Sequence, residues 1–330
     1  MIVALVILVA GLVTAFSLGG WPQVLLVAVL AAFEVAMSFN NAIVNASVLE
    51  KMNPFWRKMF MTVGLVIAVI GMRLLFPVAI VATTANLSWG RVLDLALHYP
   101  LRYAHLLTLV HPLIAAFGSM FLLMLCLDFL IDSGKRVHWI DAIERPLARG
   151  GRFKVLPVVI CLFLLGIVAV PIPATERSHV IMAGLIGLGV YLLVRTIGRL
   201  FMNETDESQA KAAGWAGFIL FLYLEILDSS FSLDGVVGAF AITTNVLTIA
   251  LGLAIGAFFV RELTVFLVRK RLLERLIYLE HGAQYSVGIL AILLAVGLIC
   301  NLPGIVTGLI GIAVIGASLA SSVLESRKAS

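Results

Sequence analysis

Long apolar runs separated by short polar joints extend along the whole chain. A helix that crosses a bilayer needs about 20 mostly apolar residues, and windows of that length predict about ten such helices, nine or ten in all. The pattern therefore predicts an all-α polytopic membrane protein, one integral membrane domain over residues 1–330, with residues 83–106 as a loop. The predicted spans lie near residues 2–18, 22–48, 58–82, 107–131, 153–172, 179–201, 214–240, 243–267, 284–301 and 303–323.

The composition supports this fold class. Hydrophobic residues make up 62% of the chain and charged residues only 12%, with a mean hydropathy of +1.12, whereas soluble domains carry about 25% charged residues. These values exclude a soluble nucleotide-binding enzyme, a nucleic-acid-binding protein and a disulfide scaffold. The spans contain no HExxH or GxSxG motif, so we expect no enzyme activity and no resident cofactor.

Lysine and arginine alternate strongly between successive loops. The loops after spans two, four, six and eight, together with the C-terminal tail, hold 18 of these residues, and the other loops hold 3. Positive residues are retained on the cytoplasmic side. We therefore expect a multi-pass protein of the inner (plasma) membrane with both termini in the cytoplasm.

The two halves of the chain share a polar motif. Glu34, Ser38 and Asn40 in the second span have the same spacing as Asp228, Ser232 and Asp234 in the seventh. Because the two spans are five helices apart, the copies cross the membrane in opposite directions. The sequence thus predicts an inverted repeat, with residues 1–152 as the first half and 153–330 as the second, an arrangement typical of transporters with a site at the membrane midplane.

The candidate binding site of this repeat consists of carboxylates that lie inside apolar windows. A charged carboxylate in the bilayer costs a few kcal/mol and usually faces a partner, a ligand or water. Oxygen ligands of this kind suit hard cations such as magnesium, calcium or manganese. Local unwinding near Gly235 and Gly238 is also expected in the second copy. The candidate ligands are Glu34, Ser38, Asn40, Asn41, Glu225, Asp228, Ser232 and Asp234.

Two arginines occupy matching positions in the repeat. Gly64 precedes Arg73 in the third span, and Gly252 precedes Arg261 by the same interval in the eighth. These arginines are candidate counter-ions that neutralise the acids between transport steps. The alternative is that each extends toward a membrane interface.

Other functions remain open at this point. The serines and asparagines could simply join helices by hydrogen bonds. The acids could pair with the amine of a small organic solute, which would make the protein an exporter of such solutes. A basic loop near residues 132–154 could instead dock a partner protein or anionic lipid.

These motifs resemble those of the TerC superfamily of integral membrane proteins, and most closely its branch named domain of unknown function 475. The resemblance covers about residues 25–300 and includes Tyr278-Leu279-Glu280-His281-Gly282. Asn40 and Gly235 depart from it, because the family usually has aspartate and serine there. The resemblance implies export of a divalent metal ion, manganese in particular, and a link to tellurium resistance.

The expected function is therefore export of Mn²⁺ or a similar cation as substrate. The alternative is a non-transporting membrane partner in a tellurite, metal or envelope stress response. Expected partners are membrane lipid and the metal ion, with a homo-oligomer or stress-response proteins as further candidates and no nucleic acid.

Overall fold

The computed structural model describes residues 2–135, 137–151, 153, 155–201, 214–300 and 304–329, without the side chains of 2–5, 198–201, 216, 230–234, 304–305, 307 and 327–329. Within these ranges all regular structure is helical. The helices are α1 Ile2–Met37, α2 Phe39–Leu49, α3 Pro54–Thr84, α4 Trp89–His98, α5 Pro100–Leu130, α6 Asp141–Gly150, α7 Leu156–Ala169, α8 Ala174–Phe201, α9 Gly214–Phe240, α10 Val246–Arg269, α11 Leu272–Arg275, α12 Leu279–Gly297 and α13 Gly304–Ala329.

Seven helical segments of the described chain are long and apolar enough to cross a membrane. They are Val6–Met37, Pro54–Thr84, Pro100–Leu130, Ala174–Ile197, Val246–Arg269, Leu279–Gly297 and Gly308–Ser326. Helix α7 is apolar but has only 14 residues. The prediction of a polytopic helical membrane protein is therefore confirmed, and the number of ten spans stays a prediction.

Val6–Met37, counted above as one segment, consists of two helices joined by a kink at a pair of glycines. Leu12, before the pair, lies in the same hydrophobic cluster as Val27, after it, although 15 residues of straight helix would separate them by about 22 Å. Gly20 has a φ of +67°, a left-handed conformation that glycine adopts without steric cost. The turn lies between the first two predicted spans.

The second predicted span is not one continuous helix. Its helix ends at Met37, Ser38 has φ −101° and ψ 10°, and α2 begins at Phe39. The Ser38 N–H still donates to the Glu34 carbonyl at 2.9 Å, so the helix axis is interrupted without a long loop. This break lies inside the first copy of the repeated motif.

The predicted loop at residues 83–106 contains a helix, α4, and the first turns of α5, so the loop assignment was wrong there. The Ser88 side chain accepts a hydrogen bond from the Arg91 N–H at 3.4 Å and caps α4. Val92, Leu95 and Ala96 then form a buried stripe at helical spacing. The segment is an amphipathic helix too short to register as a membrane span.

The expected unwinding of the second copy does not occur, because the backbone of α9 is helical through Gly235 and Gly238. A Cβ atom on Gly235 would lie 2.8 Å from Glu34 Oε2, and one on Gly238 would lie 2.7 Å from the Phe33 ring. These glycines therefore let α9 approach α1 closely, and they do not break the helix.

Helices from the two predicted half-repeats pack against each other throughout the described structure. Helix α1 runs along α10, while α5 contacts both α8 and α12. The largest hydrophobic cluster likewise joins Phe121 of α5, Leu227 of α9 and Val287 of α12. The boundary at residues 152/153 therefore does not separate two independently packed bodies.

A fully buried carboxylate holds the charged segment that follows α5. Glu144 of α6 accepts hydrogen bonds from the Trp139 and Ile140 backbone N–H groups at 3.1 and 3.3 Å. Its Oε2 lies 2.7 Å from Lys135 Nζ and 3.4 Å from His281 Nε2, at the start of α12. These contacts fasten α6 to one end of the helical bundle.

Three connecting segments lie at that same end. Burial raises the pKa of Glu50, as do the nearby carboxylates of Glu274 and Glu280, while Arg57 and Arg271 oppose the rise. The segment after α2 is thus close to the segment between α10 and α12. Both are basic segments that the alternation of lysine and arginine assigns to one side of the membrane.

Candidate cation site

Four helices bring the predicted acids and arginines into one buried cluster. Glu34 lies near the end of α1, Arg73 on α3, Glu225 and Asp228 on α9, and Arg261 on α10. None of the five residues is more than 8% exposed. Charged side chains buried in this way require partners, because removing an ion from water costs several kcal/mol.

Glu34 and Arg73 form the closest ion pair of the cluster. Arg73 Nη2 directly contacts Glu34 Oε1, and the Ser38 hydroxyl donates to the same oxygen at 2.9 Å. Arg73 Nη1 donates to the Ala68 carbonyl at 2.7 Å. One oxygen of Glu34 is therefore held by two donors, and the Ser38 break places one of them.

Arg261 is held mainly by the backbone of α3. Its Nη1 donates to the Phe60 carbonyl, and its Nη2 donates to the Gly64 carbonyl at 3.0 Å. The guanidinium also lies 3.8 Å from the centroid of the Phe60 ring, a cation–π contact. Its distances to Glu225 Oε1 and Asp228 Oδ2 are longer, 3.5 and 3.9 Å.

The backbone of α3 is unusual where it meets the two arginines. Phe60–Gly64 and Ile67–Leu75 are π-helical, a rare geometry that is frequent at functional sites. The carbonyls of Phe60 and Gly64 accept from Arg261, and the Ala68 carbonyl accepts from Arg73. The irregular helix thus supplies acceptors for both guanidinium groups inside the apolar interior.

Asn41 links the two halves of the cluster. Its Nδ2 donates to Asp228 Oδ1 at 2.6 Å, joining α2 to α9. The contact is between a neutral amide and a carboxylate, so it leaves the charge of Asp228 in place. Since Asp228 Oδ2 faces Arg261, the aspartate is shared between the amide and the arginine.

Several buried oxygen atoms of the cluster have no hydrogen-bond partner among the described residues. They are Glu34 Oε2, Asn41 Oδ1 and Glu225 Oε2. Carboxylate and amide oxygens are the ligands that hard divalent cations prefer. Leaving them unpaired costs about 1–3 kcal/mol each, and a cation bound among them would remove that cost.

The charges of the described cluster are unequal. Glu34, Glu225 and Asp228 are three acids, and Arg73 and Arg261 are two bases. With every group ionised, these five side chains carry a net charge of −1. Buried carboxylates attract cations strongly because the surroundings screen them poorly.

Two glycines, of which the sequence marked only Gly64 and only as a repeat position, have a specific role here. A Cβ on Gly64 would lie 2.3 Å from Glu225 Oε1 and 2.6 Å from Arg261 Nη1. A Cβ on Gly256 would lie 2.5 Å from the Glu34 Cβ. The absence of side chains at these positions gives the acids and Arg261 their space, which residue spacing alone did not reveal.

Some predicted ligands are not brought into the cluster. Asn40 is buried, its Oδ1 accepts from the Asn41 backbone N–H at 3.0 Å, and it lines a small cavity beside Leu290 and Gly308. The side chains of Ser232 and Asp234 lie outside the described part of the chain. In the described structure, no three His, Cys, Asp or Glu residues are placed to hold a metal ion.

Comparison with known proteins identifies a family. No curated protein and no solved structure matches the chain. A family model described as "Protein of unknown function (DUF475)" matches residues 39–329. The match begins later and ends later than the resemblance at about residues 25–300, so it leaves Glu34 outside and includes α13. Because it covers most of the chain, the protein belongs to the DUF475 family of membrane proteins, whose function is unknown.

Proposed function

We propose that this protein is an inner-membrane transporter that exports a hard divalent cation, with Mn²⁺ as the favoured substrate. The observation that carries the proposal is the buried cluster of three acids and two arginines with unpartnered carboxylate and amide oxygens. A purely structural ion-pair network would gain stability by pairing these oxygens. Membership of the TerC superfamily and an inverted repeat of ten helices belong to the same proposal.

The two arginines already contact the acids that would bind a cation. The guanidinium of Arg73 forms an ion pair with Glu34, and Arg261 lies beside Glu225 and Asp228. Positive charge is therefore already present where a cation would bind. A metal ion must displace at least one guanidinium before the acids can converge on it. This requirement accounts for the absence of a preformed metal cluster among the described residues.

Transport then depends on movement of one half against the other. Asn41 of the first half and Asp228 of the second are in direct contact, so the cluster lies at the boundary that would rock in an alternating-access cycle. Exchange between arginine and metal keeps the site close to neutral in both states, which lowers the cost of crossing the membrane interior.

The proposal is tested in cells that lack the natural protein. Expression of the natural chain should lower the cellular manganese content and raise the tolerance of the cells to manganese. The double variant Glu34→Ala, Asp228→Ala, present in the membrane at the same level, should have neither effect. Asp132→Asn is a matched control, because that acid is exposed and outside the cluster. If the double variant protected cells as well as the natural chain does, the proposal would be wrong.

The alternative, a non-transporting partner in a stress response, rests on the basic segment after α5. Lys135 of that segment is only 11% exposed and pairs with Glu144, and Arg145 pairs with Asp141. These pairs reduce the charge available for docking. Two results together would favour this alternative. The double variant would handle metal normally, and neutralising Arg149 and Lys154 would abolish the protein's role in the stress response.

A further inference from the structure

The two arginines of the cluster are anchored differently. Arg73 has a carboxylate in direct contact and one carbonyl acceptor, and its Nε has no partner among the described residues. Arg261 has two carbonyl acceptors and an aromatic ring, with its carboxylates no closer than 3.5 Å. Arg261 can therefore lose both acids and keep three contacts, whereas Arg73 would keep one.

The acids beside Arg261 also offer the better ligand set. Glu225 Oε2 and Asn41 Oδ1 lack partners in the described structure, both residues are at most 5% exposed, and Asn41 is hydrogen-bonded to Asp228. Two carboxylates and an amide are thus adjacent on α2 and α9. Around Glu34, by contrast, the Arg73 and Ser38 donors already occupy one oxygen.

We propose that Arg261 is the tethered cation that the substrate displaces, and that Arg73 remains paired with Glu34 throughout transport. This inference rests on the proposed function and assigns the substrate to Glu225, Asp228 and Asn41. In the metal-bound state the guanidinium keeps its contacts with the Phe60 and Gly64 carbonyls of the π-helical segment and loses those with Glu225 and Asp228. Renewed contact between the guanidinium and these acids expels the cation, so Arg261 sets both affinity and release.

A tethered competitor has an unusual consequence for binding. A ligand that must first displace an internal group binds with an affinity lowered by the fraction of sites that are free. Removing Arg261 should therefore strengthen Mn²⁺ binding while it slows turnover, because nothing returns to expel the ion. A residue that merely maintained the fold would weaken both.

The experiment measures Mn²⁺ binding by calorimetry on the purified full-length protein, and Mn²⁺ flux in liposomes with the same samples. We expect Arg261→Gln to lower the dissociation constant by about tenfold and to reduce flux by a similar factor. Arg73→Gln should change affinity much less. Arg269→Gln, at the exposed end of the same helix, should match the natural chain in both measurements.

A second variant covers the case in which Arg261→Gln does not fold. Arg261→Lys keeps the charge but cannot donate to the Phe60 and Gly64 carbonyls with the same geometry, so its affinity should lie between those of the natural chain and Arg261→Gln. Equal gains in affinity for the Arg73 and Arg261 variants, or weaker binding by both Arg261 variants, would overturn the inference alone. Absence of Mn²⁺ binding and flux in the natural chain would overturn the proposed function together with it.

Discussion

At the scale of single residues, the buried ion pairs are the most informative feature. The sequence predicted the acids and arginines because charges inside apolar windows are rare and their spacing repeats. It did not predict how each arginine is held. Arg261 depends on the carbonyls of Phe60 and Gly64, and a change of backbone hydrogen-bond register within an apolar run leaves the hydropathy pattern unchanged.

The Glu34–Arg73 pair makes a prediction about stability. Glu34→Gln and Arg73→Met should each lower the melting temperature in detergent, because each leaves a buried partner unpaired at a cost of about 3–5 kcal/mol. The double variant should be more stable than the sum of the two single effects implies. Additive losses would show that the two charges do not interact, contrary to their contact.

A second prediction concerns the glycines of α3. Gly64→Ala should abolish Mn²⁺ flux, because the added methyl would displace the Glu225 carboxylate or the Arg261 guanidinium, which lie within 2.6 Å of its position. Gly71→Ala is the matched control in the same helix, since its nearest neighbour would be an Ile67 methyl at 3.5 Å. Equal flux from both variants would contradict the described geometry of the cluster.

At the scale of elements, hydropathy located most of the helices but not their interruptions. The turn at Gly19 and Gly20 agrees with the predicted boundary, whereas the break at Ser38 falls inside a window that was predicted as one span. Asn40, two residues after that break, lines a small cavity, and its role as a ligand stays a prediction. Helix α6 and its buried Glu144 were missed because a charged segment between spans ordinarily lies in water.

The attachment of α6 should depend on pH. Burial alone would raise the pKa of Glu144, but the Lys135 hydrogen bond and the charges of His281 and Lys135 lower it further than burial raises it. A carboxyl with a lowered pKa stabilises the fold above its unfolded pKa of 4.5 and loses that contribution as the pH falls below it.

Melting temperatures of the natural chain and of Glu144→Gln test this attachment. The natural chain should be the more stable protein at pH 7, and the difference should shrink as the pH falls below about 4.5. Arg145→Gln, which removes an exposed charge of the same helix, should have little effect at either pH. A difference that stayed constant down to pH 3 would exclude Glu144 as its source.

At the scale of the whole molecule, the alternation of basic loops predicted which segments share one end of the bundle. The contacts of Glu50 and Glu144 place the segments after α2, after α5 and before α12 together. The packing of the two halves against each other was not evident from the sequence, because hydropathy carries no information about which helices are neighbours.

The orientation in the membrane is testable with a natural cysteine. Cys300 is exposed just beyond α12, whereas Cys126 and Cys161 are buried. An impermeant maleimide should label Cys300 from outside the cell, and it should label Lys51→Cys in a Cys300→Ser background only after the membrane is opened. The reverse pattern would place the basic end outside and contradict cytoplasmic termini.

The central claim is that the buried acids move a divalent cation across the membrane. The most direct measurement is Mn²⁺ flux into liposomes containing the purified natural chain, Asp228→Asn or Asp132→Asn. We predict flux from the natural chain and from Asp132→Asn, and its loss in Asp228→Asn, whose carboxylate lies between Asn41 and Arg261. Undiminished flux in a folded Asp228→Asn protein, or none in the natural chain, would contradict this account.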